Sequence, residues 1–360
     1  MAMRVMNRIE VPAFNSHVHF RQGAMMRAVV PFTAANFTEV IVEPNLEIPI
    51  VSVSQAEVYR DQILAAVPKG LEFEPHIALY ACKYLDPAEF RIDTSFMTVV
   101  KVYPAHGTTQ SEYGVNFEEW LANPWFMEIL AQAELWRVPV QFHGEVPVWR
   151  GKEVDPFDRE PIFYGEIAPE IRSMFPGLQM ACEHISTQDA VEWVRDQHED
   201  LVTASVTPHH LLKNRTDWLG SGSDSTMECK PPLKRANPHQ ESLIEFVTSG
   251  DPRAQAGTDS APHPLSAKHG VRTACGAFVD HAALAMYATV FEREDALDKL
   301  PEFLSSNARR FYDLEPSNRK IVLIREPHTI PEMYTLDGIQ IRPFAHGETF
   351  PWRVEMPSAE

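Results

Sequence analysis

The chain has 360 residues, of which 44% are hydrophobic and 23% are charged, a composition typical of folded globular proteins that argues against disorder. The formal net charge of −18 argues against nucleic acid as a partner, because phosphate contacts need clustered lysine and arginine. Residues 1–12 lack the apolar core of a signal peptide and no later stretch approaches the length of a membrane span, so we expect a cytoplasmic protein with no membrane partner.

Eight short apolar segments alternate along the chain with segments of helical character. They are rich in valine, isoleucine and aromatic residues and lack strict polar alternation, which is typical of parallel strands buried on both faces. The predicted strands are residues 9–18, 39–43, 74–82, 98–103, 138–142, 178–183, 202–206 and 255–258. The candidate helices are residues 54–67, 125–136, 162–174, 187–196, 238–249, 282–291 and 297–306. This rhythm predicts an α/β fold, a (β/α)8 TIM barrel.

We assign residues 1–315 to the barrel. Residues 320–325 and 333–342 alternate like exposed strands and are interrupted by prolines, so we expect residues 316–360 to form a small C-terminal appendage packed on the barrel. No C-x-x-C spacing occurs among the cysteines, which predicts free thiols in a reducing compartment. The four cysteines are Cys82, Cys182, Cys229 and Cys275.

The first predicted strand ends in the sequence His17-Val18-His19. Two histidines two residues apart on a strand point to the same face, so both could meet one ion. Such a pair on its own is more often an ordinary surface or core pair. Later predicted strands are closed by Lys101, His143, His184 and Asp259. Because the carboxyl ends of barrel strands gather at one mouth, the sequence predicts a metal site there.

Histidine and aspartate supply ligands that zinc and similar divalent ions accept, and the lack of cysteine among them favours a catalytic site over a closed structural one. Lys101 is the unusual member, because an ammonium group repels a metal ion. A buried lysine in its neutral form can instead take up carbon dioxide, and the resulting carbamate has two oxygens that can bridge two ions. The set of residues therefore indicates a pair of metal ions.

Around these positions the chain resembles dihydroorotases of the shorter bacterial type (class II), within the amidohydrolase superfamily. The matching segments are residues 17–21 (HVHFR), 42–45 (VEPN), 100–105 (VKVYPA), 142–145 (FHGE), 182–185 (CEHI), 207–211 (TPHHL), 230–235 (KPPLKR) and 257–263 (GTDSAPH). The resemblance extends over nearly the whole chain. Arg21, Asn45 and His263 are the positions that select dihydroorotase within the superfamily.

The resemblance implies two divalent ions, with Zn²⁺ the expected species, and a carboxylated Lys101 as the ligand that bridges them. One ion would be held by His17, His19, Lys101 and Asp259, and the other by Lys101, His143 and His184. A hydroxide between the ions would attack the ring of L-dihydroorotate, with Asp259 as general base, and give N-carbamoyl-L-aspartate reversibly. The resemblance also implies a homodimer.

The resemblance further implies a set of substrate contacts. They are Arg21, Asn45, Thr108, Thr109, His143, Lys230, His263 and Cys275. The guanidinium of Arg21 suits the carboxylate of the substrate. Thr108 and Thr109 belong to a polar loop, residues 105–114, which would close over the substrate as a lid. Its composition alone fits a passive surface loop equally well.

Four residues depart from the family pattern. Glu43 stands where an apolar residue is expected, Lys230 replaces a leucine, Cys275 replaces a small residue, and His209 adds a second histidine beside His210. The family contacts at 230 and 275 use the backbone, so we expect activity to persist. Two alternatives stay open: a related binuclear hydrolase of another cyclic amide or imide, and a noncatalytic barrel paralogue.

Overall fold

The computed structural model describes residues 7–220, 224–269, 273–315 and 317–355. Its main feature is a parallel sheet of eight strands in which neighbours in sequence are neighbours in space. The strands are β1 Phe14–Val18, β2 Glu39–Val42, β3 Glu74–Tyr80, β4 Val99–Val102, β5 Val140–Phe142, β6 Met180–Cys182, β7 Val202–Val206 and β8 Ala254–Ala256. Each lies within or next to a predicted strand.

The sheet closes on itself where the end of β8 meets β1. The backbone N–H of Asp259 donates to the carbonyl of His17 at 3.0 Å, and that of His19 donates to the carbonyl of Ser260 at 3.0 Å. Closure removes both sheet edges and brings the carboxyl ends of all eight strands to one mouth. The predicted (β/α)8 TIM barrel is confirmed.

Helices surround the barrel. The longer helices are Gly23–Asn36, Val53–Ala66, Pro124–Trp136, Gln188–Arg195, Glu241–Thr248 and Ala283–Arg293. Shorter helical segments are Arg159–Ile162, Phe163–Ile167, Ala168–Met174, Pro208–Leu212, Arg215–Gly220, Ala236–Gln240, Leu265–Lys268, Glu302–Ser306 and Asn307–Tyr312. Single 3₁₀ turns are Pro87–Arg91, Trp120–Ala122 and Ser225–Met227. Within the described ranges, no helix has both the length and the apolar character that crossing a bilayer would require.

The helix Gly23–Asn36 is absent from the sequence prediction. Its N-cap, Gln22, makes no side-chain capping bond, and Pro31 lies inside the helix. More than half of its residues are buried, so the sequence shows neither a start signal nor an apolar face of helical period. Tertiary burial determines this helix.

A second difference concerns the predicted helix 297–306. The structure places this helix later in the chain, at residues 302–312, directly after Pro301.

The prediction of one strand over residues 9–18 is wrong, because the structure divides it into Arg8–Val11 and β1. Pro12 lies between the two parts and cannot donate a ladder hydrogen bond. Arg8–Val11 leaves the barrel and pairs antiparallel with Ile321–Ile324, with Ile9 opposite Leu323. The N-terminal strand therefore joins the tail of the chain.

The tail forms small antiparallel sheets beside the barrel. The strand pairs are Ile321–Ile324 with Arg353–Val354, His328–Thr329 with Thr349–Phe350, and Tyr334–Leu336 with Ile339–Ile341. A further hairpin, Val148–Trp149 with Lys152–Glu153, lies between β5 and β6. Phe344 and Trp352 are fully buried, and the Phe344 N–H donates to the Phe278 carbonyl at 2.9 Å. The boundary between residues 315 and 316 stays a prediction.

Candidate active site

One pocket at the mouth of the barrel collects most of the site residues that the sequence predicts. It is lined by His17, His19, Arg21, Asn45, Thr108, Thr109, His143, His184, Lys230, Asp259 and Cys275. Lys101 is fully buried beside the histidines, and His263 contacts Arg21. The fold thus brings together residues from near the start of the chain, such as His17, and residues as distant as Cys275.

Three ligand atoms form a nearly equilateral triangle. His17 Nε2 lies 3.2 Å from His19 Nε2 and 3.3 Å from Asp259 Oδ1, and His19 Nε2 lies 3.1 Å from the same oxygen. Neighbouring ligands of a tetrahedral zinc ion with bonds near 2.0 Å stand about 3.3 Å apart. The triangle therefore fits the face of a metal coordination sphere.

Carboxylates behind two of the histidines fix their orientation. Glu183 Oε2 lies 2.6 Å from His17 Nδ1, so Glu183 holds this nitrogen while Nε2 faces His19 and Asp259. Glu145 Oε2 lies 2.7 Å from His143 Nε2, which leaves Nδ1 free in the same way. Such outer carboxylates accompany metal-binding histidines and raise their basicity. The nitrogens that could bind a metal ion are therefore Nε2 of His17 and Nδ1 of His143.

His184 completes the group. Its ring centroid lies 4.5 Å from that of His143 and 5.0 Å from that of His17. It is 2% exposed, and its Nδ1 has no hydrogen-bond partner in the described part of the chain. A buried imidazole that lacks a partner is costly, and a cation would remove the cost. The nitrogen and oxygen donors of these histidines and of Asp259 thus fit a divalent metal ion.

The electrostatics of the site also favour a cation. Burial alone would lower the pKa of His17, but Glu43, Asp259 and Glu183 raise it to about 9. Burial lowers the pKa of His19 to about 3. Burial would raise the pKa of Asp259, but hydrogen bonds from His17 and His19 hold it well below its usual range. The carboxylates of Glu43, Asp259 and Glu183 therefore favour a positive charge at His17, which a proton or a metal ion can supply.

Lys101 lies beside His17, on the Nδ1 side of the ring. Its Nζ lies 3.4 Å from His17 Nδ1 and 3.4 Å from Glu43 Oε2. Glu43 Oε2 also accepts a hydrogen bond of 2.7 Å from the Tyr103 hydroxyl. The sequence marked Glu43 only as a departure from the family pattern. The structure shows it as a buried carboxylate packed between a predicted metal ligand and a tyrosine of the pocket.

Three residues of the site have left-handed backbone, with φ of 58° at Arg21, 40° at His184 and 44° at Asp259. Such a conformation is uncommon for residues with a side chain and persists only where the surroundings hold it. At Asp259 the backbone bond to His17 supplies that restraint. The chain turns sharply at these strand ends, which directs the side chains into the mouth.

Arg21 and His263 form the polar wall beside the metal ligands. Arg21 Nη2 lies 3.2 Å from His263 Nε2, and that nitrogen lies 2.9 Å from the Cys275 carbonyl oxygen. Burial, with the charge of Arg21, lowers the pKa of His263 to about 3, so the ring is neutral. A guanidinium beside a neutral imidazole can receive an anionic group.

The loop 105–114 lies against the pocket. Asn45 Nδ2 donates to the Thr109 carbonyl at 2.9 Å, and the Tyr80 hydroxyl donates to the Gln110 carbonyl at 3.4 Å. The free cavity left between the pocket residues is about 20 Å³, little more than one water molecule needs. The loop therefore borders the space in which a substrate would bind.

Several residues of the site escaped the sequence prediction. They are Tyr103, Glu145, Glu183, Ala261 and Gly276. Glu183 precedes His184 directly and Glu145 follows His143 by two positions, so their place in the matching segments 182–185 and 142–145 was the signal that could have found them. Gly276 has φ 140°, and a Cβ there would lie 2.4 Å from the Ala261 carbonyl oxygen. Only glycine fits this wall.

The outer carboxylates provide a paired test. Glu183→Gln should weaken binding of the ion at His17 by about 10–100-fold, and Glu145→Gln should do the same for the ion at His143, because each loses the charge that raises histidine basicity. Metal affinity is measured by competition with a chelator. Unchanged affinity in both variants would contradict the orientation inferred for the two rings.

Together the closed barrel and the cluster of histidines, lysine and aspartate at its mouth define a protein of the amidohydrolase superfamily. A dihydroorotase from Klebsiella pneumoniae is 40% identical over 341 residues, which cover 94% of this chain and 95% of that protein. The chain belongs to the dihydroorotase family. A dihydroorotase from Azoarcus sp. is also 40% identical, over 94% of this chain and 96% of its own length.

Solved structures agree with this assignment. Dihydroorotase from Saccharomyces cerevisiae, in complex with 5-fluoroorotic acid, has a TM-score of 0.88 and 28% identity, with 97% of this chain and 99% of that chain covered. Dihydroorotase from Campylobacter jejuni has a TM-score of 0.87 and 26% identity, with 99% and 100% covered. The L-hydantoinase from Arthrobacter aurescens, at 0.77 and 16%, shares the fold, with 96% and 83% covered. No protein-family model matches the chain.

Proposed function

We propose that the chain catalyses the reversible hydrolysis of L-dihydroorotate to N-carbamoyl-L-aspartate. The observation that carries this proposal is the triangle of His17, His19 and Asp259 next to the Arg21–His263 pair. A group that could bind metal would thus lie beside a cation that could anchor a carboxylate. The yeast relative binds 5-fluoroorotic acid, a pyrimidine ring that carries a carboxylate, in a structure of the same fold.

The site would hold two divalent ions, with Zn²⁺ the expected species. The ligands would be His17, His19, Lys101 and Asp259 for one ion and Lys101, His143 and His184 for the other, with Lys101 carboxylated. When bound, the ions would supply an activated water and polarise the carbonyl under attack. The contacts of Glu183 with His17 and of Glu145 with His143 support this division.

Asp259 would move the proton. It is 6% exposed and ionised, and its position at the ends of β8 and β1 brings it to the reacting centre. In hydrolysis the carboxylate accepts a proton from the attacking water and passes it to the ring nitrogen as the C–N bond breaks. In ring closure the same group returns the proton to the departing oxygen.

The substrate carboxylate would be bound, and the ring oriented, by Arg21, Asn45 and His263. The loop would contact the substrate through Thr108 and Thr109. The Asn45–Thr109 hydrogen bond supports a closed position of residues 105–114. Closing would exclude water from the reacting centre, and opening would admit the substrate. Lys230 and Cys275, which line the pocket, would contact the ring through their backbone.

A turnover assay with dihydroorotate and metal analysis on the same sample tests the proposal. We expect hydrolysis together with two divalent ions per chain. A metal-replete protein without dihydroorotate turnover would overturn it, and turnover of hydantoin or dihydrouracil would then favour a hydrolase of another cyclic amide or imide. A chain without metal and without turnover of any of the three would favour the noncatalytic paralogue.

Arg21→Met separates carboxylate binding from the chemical step. Loss of a charge-assisted hydrogen bond costs about 3 kcal/mol, so kcat/KM for dihydroorotate should fall roughly 100-fold, mainly through KM. Dihydrouracil lacks the carboxylate, so any turnover of dihydrouracil by the unmutated chain should change less than about threefold in the variant. Steady-state kinetics with both substrates give the result, and an equal loss for both would rule out the assigned contact.

The second candidate function is hydrolysis of another cyclic amide or imide, which the departures at Glu43, Lys230 and Cys275 motivate. Of these three residues, Lys230 adds a cation to the pocket. A positive charge suits the two carboxylates of N-carbamoyl-L-aspartate better than it suits a neutral hydantoin. The charge therefore favours dihydroorotase. The homodimer and the cytoplasmic location stay predictions.

A further inference from the structure

A second cluster of metal-ligand residues lies outside the pocket. It consists of His209, His210 and Cys229, each at most 3% exposed, whose ligand atoms all lie within 4.8 Å of one another. His209 and His210 sit in the short helix Pro208–Leu212, which follows β7, and Cys229 follows the turn Ser225–Met227. Two separate chain segments therefore meet at this point.

His209 is the unexplained member of the cluster. It is 1% exposed, yet neither Nδ1 nor Nε2 has a hydrogen-bond partner in the described part of the chain. Its ring lies 4.6 Å from that of His210, centroid to centroid, at an interplanar angle of 41°. A neutral imidazole normally uses both nitrogens when it is buried. His209 thus presents an unused lone pair within the cluster.

His210 and Cys229 point at one common atom, the carbonyl oxygen of Pro231. His210 Nε2 lies 3.1 Å from it, and Cys229 Sγ lies 3.2 Å from it. Nδ1 of His210 is held by the Thr207 hydroxyl at 2.8 Å, which fixes the ring. A metal ion bound between His210 Nε2, Cys229 Sγ and the Pro231 oxygen would take the place of the hydrogens that the first two atoms now donate to that oxygen.

We infer that His209, His210, Cys229 and the Pro231 carbonyl form a site for a third metal ion, separate from the proposed catalytic pair. Two imidazoles and a thiolate form a soft donor set that selects Zn²⁺, Cd²⁺ or Cu⁺ over Mg²⁺ and Ca²⁺. Binding releases the Cys229 thiol proton to solvent, and the thiolate offsets one positive charge of the ion.

The charges around the site are mixed. Asp259 and Lys268 both act electrostatically on His209, with opposite sign. The Lys268 ammonium is itself occupied, because its Nζ donates to the Glu228 carbonyl at 3.2 Å. The thiolate supplied by Cys229 would therefore be needed for a dication to bind. This requirement makes the cysteine the decisive ligand.

The position of the site links it to the active-site wall. Lys230, between Cys229 and Pro231, lines the active-site pocket. The Glu228 carbonyl accepts a hydrogen bond of 2.7 Å from the N–H of Gly276, another residue of that pocket. An ion bound to Cys229 would fasten this segment to the helix Pro208–Leu212. The bound ion would thereby restrict movement of the part of the pocket wall that contains Lys230 and Gly276.

Cadmium distinguishes this site from the catalytic centre, because the proposed catalytic ligands include no sulfur. Titration of the zinc-loaded protein with Cd²⁺ should produce the ultraviolet thiolate-to-cadmium charge-transfer band, saturating at one equivalent per chain. Bound metal should protect Cys229 from alkylation, as measured by peptide mass spectrometry. Both measurements use the unmutated chain. No band and no protection at saturating Cd²⁺ would overturn the inference.

Variants identify the ligands. Cys229→Ser should abolish the band and His209→Gln should weaken Cd²⁺ binding at least about tenfold, whereas Cys82→Ser and Cys275→Ser should keep the band. A band that survives in Cys229→Ser would overturn the assignment, as would its loss in Cys275→Ser alone. The outcome does not depend on dihydroorotate turnover, so this inference and the proposed function can fail separately.

Discussion

Asparagine in place of Asp259 should lower kcat/KM for dihydroorotate by about 10³-fold, because the carboxylate that transfers the proton is lost while an oxygen ligand remains. The ionised state of Asp259, maintained by His17 and His19, supports its role as the base. The variant should retain at least one divalent ion per chain. Steady-state kinetics in both reaction directions and metal analysis measure the two effects, and we expect equal losses in hydrolysis and ring closure.

Asp280→Asn provides the matched control. Asp280 is a fully buried aspartate whose Oδ2 accepts a hydrogen bond of 2.6 Å from the Thr33 hydroxyl. Burial raises its pKa to about 6, so its charged form is disfavoured, in contrast to that of Asp259, and loss of the charge should cost less here. Its activity should stay within about threefold of the unmutated chain. If Asp280→Asn loses as much activity as Asp259→Asn, the loss reflects folding and the assignment of the base is wrong.

The sequence was sufficient to predict the barrel and the strand ends that carry the proposed ligands. Strands buried on both faces appear as continuous apolar runs, and the carboxyl ends of such strands meet at one mouth. His143 and His184 follow neighbouring strands of the barrel, so their ring centroids lie 4.5 Å apart although the residues are distant in sequence. The helix Gly23–Asn36 was missed because burial, which a local pattern does not report, determines it.

The contacts that orient the predicted ligands could not be predicted from the sequence. Glu183 reaches His17 across the barrel, and Glu43 reaches Lys101 from β2, so both contacts depend on which strand ends face each other. The left-handed backbone at Asp259 likewise arises where β8 meets β1. A single sequence contains no record of such pairings. Residue types at strand ends can be predicted, whereas their partners require the closed barrel.

Lys101→Ala should lower kcat/KM by about 10³-fold or more and reduce the metal content from two ions toward one, because the proposed bridge between the ions is lost. The lysine is fully buried, so alanine leaves a space that a small carboxylic acid can enter. Acetate or propionate should then restore part of the activity and of the metal content by supplying two oxygens. Metal analysis and kinetics with increasing acid concentration measure the rescue.

His184→Ala is the control for this rescue, because it removes an imidazole from the same group of ligands without removing the proposed bridging carbamate. Small carboxylic acids should leave its activity unchanged, whereas imidazole is the molecule expected to restore it in part. Rescue of both variants by the same acids would point to a general effect of the acid on the pocket. Full activity with two ions in Lys101→Ala would exclude a carboxylated lysine and leave Glu43, 3.4 Å from the Lys101 Nζ, as the carboxylate nearest to the vacated position.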